Sequence, residues 1–101
     1  MAPRTELNEK LVELLGSRNV YFQGPSNRKM KYPAIVYDYS KFPVVRADND
    51  AYLIRTAYDL TLIDTDADSR FIDPLLHLPY CSFDRHYISD NLHHFTFTLF
   101  Y

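Results

Sequence analysis

From Tyr52 to Asp64 apolar and polar residues take turns along the chain. Tyr52, Ile54, Tyr58, Leu60 and Leu62 occupy even positions, and Arg55, Asp59 and Thr61 occupy odd ones. Successive side chains of a strand point to opposite faces, so alternation over this length predicts one long strand with one buried face. A strand needs partners, which commits the chain to a sheet. The last ten residues repeat the pattern: Phe95, Phe97, Leu99 and Tyr101 share one face, and His94, Thr96, Thr98 and Phe100 share the other. Ser89-Asp90-Asn91 reads as a turn, so a strand over Pro79–Tyr87 and the strand over Leu92–Tyr101 are expected to form a hairpin.

The other elements follow from spacing and from breakers. Leu7, Leu11, Leu14 and Leu15 fall at i, i+4, i+7 and i+8, which predicts a helix over 4–15 with Thr5 as N-cap and Gly16 closing the end. Residues 19–23 read as a short strand. Tyr21-Phe22-Gln23-Gly24 resembles the end of an engineered protease tag, but Arg18 stands where such a site needs an acid. Val20 and Phe22 also fit the strand. After the break at Gly24-Pro25-Ser26-Asn27 a strand is expected over Ala34–Tyr39, with Ile35, Tyr37 and Tyr39 on one side and Lys41-Phe42-Pro43 ending it. A short helix over 68–77 is expected to turn Phe71, Ile72, Leu75 and Leu76 inward. There Pro74 forces either a kink or a restart, the restart having Asp73 as N-cap and Pro74 at the first helical position. The order α-β-β-β-α-β-β predicts an α+β fold, a mainly antiparallel sheet with two helices packed on one face.

A chain of 101 residues is one domain, 1–101, too short for a TIM barrel or a full dinucleotide-binding fold. A net charge of −2 gives no general attraction to nucleic acid or anionic lipid. The single cysteine, Cys81, makes no internal disulfide, and no apolar run approaches the ~20 residues that span a bilayer. A soluble chain in a cytoplasm is the expectation. Locally the charge is uneven. Residues 18–46 carry six basic side chains (Arg18, Arg28, Lys29, Lys31, Lys41, Arg46) against Asp38, a net of +5. Residues 47–73 carry Arg55 and Arg70 against seven aspartates, including Asp48 and Asp50, a net of −5.

Catalytic and ligand motifs are sparse. Cys81 lies near His77 and His86, yet no motif surrounds it, and a small apolar residue in a strand is the simpler reading. Two glycines cannot build a phosphate-cradling loop. His93 and His94 point to opposite faces of a strand, and His86 with His94 does not make a zinc set. Asp64, Asp66 and Asp68 alternate as in a calcium loop, but Ser69 and Leu75 stand where such a loop needs Gly and Glu. Helix capping accounts for these carboxylates. No catalytic residue, cofactor or metal is therefore expected. The basic loop around Arg28–Lys31, with Tyr32 and Phe42 nearby, leaves a small nucleic-acid-binding module as the alternative function. The matched acidic stretch favours self-association, one copy's basic patch on the next copy's acidic one.

Several stretches together resemble one family. They are Tyr21-Phe22-Gln23-Gly24-Pro25-Ser26, Met30-Lys31-Tyr32-Pro33-Ala34-Ile35-Val36-Tyr37 and Ala47-Asp48-Asn49. Pro79-Tyr80-Cys81-Ser82-Phe83-Asp84-Arg85-His86-Tyr87 and Ser89-Asp90-Asn91-Leu92-His93-His94 are the most telling. The chain resembles the tail terminator, or tail-completion, proteins of long-tailed bacteriophages, small neck proteins of the lambda-terminator type. The resemblance covers nearly the whole chain and implies a structural virion protein with no enzymatic activity. Such a subunit forms a homo-oligomeric ring, typically a hexamer, that caps the tail tube and joins it to the head-tail connector. Its implied partners are its own copies, the tail tube protein and the connector protein, with no membrane, and with DNA only passing through the lumen. Its implied place is the virion neck, assembled in the host cytoplasm. Phe83, Asp84, Arg85 and His86 are the matched motif residues.

Sixteen Tyr and Phe rings sharpen the expected interface. Tyr52, Tyr58, Phe71, Phe95 and Phe97 are expected in the core, whereas Tyr21, Tyr32, Phe42, Tyr87 and Phe100 are left over. With the charged patches, these give Arg28, Lys29, Lys31, Tyr32, Phe42, Asp48, Asp50, Tyr87 and Phe100 as candidate subunit contacts.

Overall fold

The computed structural model describes residues 4–23, 30–46 and 54–101. Two helices, α1 (Arg4–Leu15) and α2 (Ile72–Leu76), accompany five strands. These are β1 (Val20–Phe22), β2 (Ala34–Arg46), β3 (Ile54–Asp64), β4 (Cys81–Ser89) and β5 (Leu92–Phe100). They form one sheet in the order β1-β2-β3-β5-β4. Every pair is antiparallel except β1–β2, which is parallel and sets Val20 beside Ile35. The α+β class and the mainly antiparallel sheet are as expected.

The helix α1 forms because three of its leucines, Leu7, Leu11 and Leu15, can be buried together along one stripe. Gly16 ends it with a φ of 77°, and its N–H donates to the Val12 carbonyl at 2.9 Å. A left-handed residue there favours glycine. Thr5, expected as the N-cap, lies inside the helix instead, because Arg4 is already helical.

Residues at alternate positions meet across the three central strands. Ile35 and Tyr37 of β2 face Leu62 and Leu60 of β3, which face Phe95 and Phe97 of β5. These residues, with Tyr58 and Leu99, join Leu7, Leu11 and Leu15 of α1 and Phe71 and Leu75 at α2 in one buried core. Fully burying a side chain of this size contributes about 1.5–3 kcal/mol. Of the rings expected inside, Tyr58, Phe71, Phe95 and Phe97 are buried; Tyr52 lies outside the described residues.

Three boundaries differ from expectation. First, β2 does not stop at Lys41-Phe42-Pro43 but continues to Arg46. The register shifts between Tyr39 and Val44, with five steps along β2 set against two along β3. That irregularity accommodates Pro43, which cannot donate to a ladder and is found at bulges and edges. Second, α2 is shorter than expected. Backbone N–H groups of Asp66 and Asp68 donate to the Asp64 and Asp66 carboxylates, at 3.2 and 2.9 Å. The Ser69 hydroxyl donates to Asp64 Oδ2 at 2.7 Å. Such local bonds hold the chain in turns and compete with a helix. Third, Phe71 rather than Asp73 is the N-cap. Pro74 sits in the first turn, where no intrahelical donor is needed. Leu76 is exposed rather than inward-facing.

Candidate subunit interface

The hairpin β4–β5 is built by a tight two-residue turn. Asp90 and Asn91 both take left-handed conformations, with φ of 54° and 63°. Paired left-handed residues give the type I′ turn, whose twist matches that of the flanking strands, and Asp and Asn tolerate it best after Gly. The turn fixes Ser89 opposite Leu92 and Ile88 opposite His93.

This register places Cys81, Phe83, His86 and Ile88 beside Leu99, Phe97, Phe95 and His93. On that face of β5, Phe95, Phe97 and Leu99 are core and His93 is half-buried. The side chains of β4 are not covered: every residue from Ser82 to Ser89 is exposed, with Phe83 at 47% and Ile88 at 61%. The result is an aromatic row running outward from the core. Phe83 meets Phe97 edge-on at 5.6 Å, and His86 stacks on Phe95 at 4.8 Å. His86 also stacks on His93, with Nε2 and Nδ1 2.9 Å apart. On the opposite face Tyr87 stacks on His94 at 4.8 Å, under the Arg85 guanidinium at 5.5 Å.

A bulge interrupts this edge. Between Phe83 and Arg85 the register slips by one residue, leaving Asp84 unpaired. The Arg85 N–H donates to Thr96 Oγ1 at 3.1 Å, and that hydroxyl lies 3.1 Å from the Arg85 carbonyl. Native sheets protect edges with charges and bulges, and Asp84 and Arg85 sit there. Beyond the bulge, Tyr87 and Ile88 extend a surface of the kind that contacts other proteins.

The expected contact residues scatter. Tyr87 lies on this edge. Phe100 is half-buried at the far end of β5, and its N–H donates to the Tyr80 carbonyl at 3.0 Å. Lys31 and Tyr32 are exposed just before β2. Phe42 belongs to β2 by its backbone. Arg28, Lys29, Asp48 and Asp50 lie outside the described residues. Of the basic candidates only Lys31 is described, and it lies before β2 and not on β4. Ile88 and His93 were missed by sequence reasoning, although the hairpin register, once drawn, puts both beside His86.

A second concavity lies where α1, the start of β3 and the 78–80 turn meet the end of β5. Its volume is about 130 Å³. Lys10 and Arg55 are among its lining residues. Arg55 Nε is buried without a hydrogen-bond partner among the described residues. An unsatisfied buried donor costs about 1–3 kcal/mol, and more when charged.

No activated nucleophile accompanies either feature. Burial pushes the Cys81 thiol up to about 11, the opposite of what a reactive cysteine needs. Among the described residues no three His, Cys, Asp or Glu side chains cluster as metal ligands, and no helix is long and apolar enough to cross a membrane. Comparison with protein-family models, with curated proteins and with solved structures gives no match.

Proposed function

We propose that the protein is a tail terminator subunit of a long-tailed phage, a structural ring component that caps the tail tube and joins it to the head connector. The observation that carries this reading is the uncovered β4 edge. Phe83 and His86 extend the aromatic row of the core into solvent, with Ile88 beyond them and Tyr87 on the other face, along a strand whose outer side pairs with no described residue. The other end of the sheet is a different edge, the three-residue β1. A ring needs two unlike complementary surfaces on each subunit, because a heterologous contact closes only when its rotation closes. Two dissimilar sheet edges provide such a pair. The sequence resemblance supplies the identity of the ring, and the scarcity of catalytic motifs agrees with a structural role.

The same reading places both helices on one face of the sheet. It is supported by the single core that α1 and α2 share with β2, β3 and β5, and it leaves the opposite face for neighbouring layers of the neck. The ring's partners are its own copies, the tail tube and the connector, and its location is the virion neck.

Electron microscopy of the purified protein, alone and mixed with tail tubes, tests the proposal. The expected image is a ring with a central hole of tube width, or a cap on the tube end. A strict monomer by light scattering at every salt and protein concentration, tubes included, overturns it.

A further inference from the structure

The concavity between α1 and the end of β5 has the composition of a ligand site. Its walls are apolar, with Leu7, Leu78, Pro79 and Leu99 among them. Its charged groups are cationic: Lys10 and Arg55 line it, and among the described residues no carboxylate side chain does. Each cation is set against a ring. The Arg55 guanidinium lies 4.0 Å over Tyr80, and Lys10 Nζ lies 5.1 Å over Tyr101. Tyr80 reaches this position with a φ of 58°, a left-handed conformation that costs a non-glycine residue energy. Backbone strain of this kind collects where a side chain must be presented to something.

We propose that this cleft binds a single carboxylate carried on a short apolar stem. Tyr80 occupies one face of the guanidinium, so Arg55, which lines the cleft, has its edge to offer, and among the described residues its Nε finds no hydrogen-bond partner. A planar carboxylate accepts two parallel bonds from such an edge; phosphate can do the same, but its larger and more strongly hydrated charge is costlier to bring into a small cleft with mostly apolar walls. Lys10, exposed on α1, adds a second positive charge to the lining. The volume is a little below that of a cavity known to hold benzene, so the stem is limited to a few carbons. A glutamate side chain of a neighbouring protein and a free short-chain acid both present this chemistry. The site is formed within one chain, and the inference does not depend on ring assembly.

The test is thermal unfolding at constant ionic strength. Butyrate raises the unfolding midpoint with the logarithm of its concentration above the dissociation constant, by about 7 °C at ten times that constant. Butyramide, chloride and phosphate leave the midpoint in place. Lys10→Gln, an exposed change that spares the fold, weakens the effect about tenfold. Arg55→Lys, which keeps the charge and removes the fork, abolishes the butyrate shift. An N-acetylglutamate amide tighter than butyrate assigns the site to a protein side chain, and the reverse order assigns it to a free acid. An absent butyrate shift, an equal shift with butyramide or phosphate, or an undiminished shift in Lys10→Gln overturns the proposal.

Discussion

Tyr37 joins a helix to a sheet through one hydroxyl. Its ring is 1% exposed and packs edge-on against Tyr58 at 5.9 Å. Its hydroxyl donates to Asn8 Oδ1 at 2.6 Å and accepts from Arg4 Nη1 at 3.3 Å. Tyr37→Phe keeps the ring and strands Asn8, so a loss of about 1–2 kcal/mol is expected from the urea midpoint. The double variant with Asn8→Ala should lose less than the sum of the two single changes. Cys81 gives a second prediction at this scale. Desolvation raises its thiol, so the thiolate is scarce at neutral pH. Iodoacetamide at pH 8 should modify the folded protein at least tenfold more slowly than the urea-unfolded chain. A folded rate equal to the unfolded rate would restore Cys81 as a candidate nucleophile beside His77 or His86.

At the scale of elements, the hairpin divides into a turn that sets register and an edge that meets other molecules, and the two can be tested apart. Asn91→Val places a β-branched residue at φ near 63° and should cost about 1–2 kcal/mol in unfolding free energy. Ile88→Lys changes a side chain that is 61% exposed. It should leave stability within about 0.5 kcal/mol while abolishing self-association in sedimentation velocity. Retained association in that variant would move the contact away from β4. The strands β3 and β5 could be read from residues alone because period-two alternation reports a half-buried strand directly. The extension of β2 could not. Pro43 is a stop signal in isolation, and it is tolerated here through a register shift against β3 that no local pattern announces. The length of α2 was misread for the converse reason. Its leucine spacing is helical, but Asp64, Asp66 and Ser69 hold the preceding residues in turns through their own side chains.

For the whole molecule, what stayed hidden was non-local. The parallel pairing of β1 with β2, and the placement of β4 outside β5, decide which rings are core and which face solvent. Phe83 and Phe97 carry the same hydrophobic signal in the sequence, yet one is exposed and the other buried, because the core stops at β5. The cleft at Arg55 was invisible for a related reason: Lys10, Arg55, Tyr80 and Tyr101 are far apart in the chain and converge only through the fold. Such convergence also couples the titration of buried groups to global stability. Burial raises Tyr37 and Tyr58, as it does Cys81. For each group the folded protein holds its proton more tightly than the unfolded chain does. The stability tied to each is therefore complete below its unfolded value, near 9 for the thiol and near 10 for the phenols, and is lost as pH rises through the folded value. The urea midpoint should be level in this respect from pH 7 to about 9 and fall above it. Cys81→Ala should remove the part of the fall that begins near pH 9 and leave the later part, which belongs to the tyrosines. A midpoint that stays level to pH 11 in the unaltered protein would mean that these three groups are as open to water in the fold as in the unfolded chain, and the core assigned to β2, β3 and β5 would have to be redrawn.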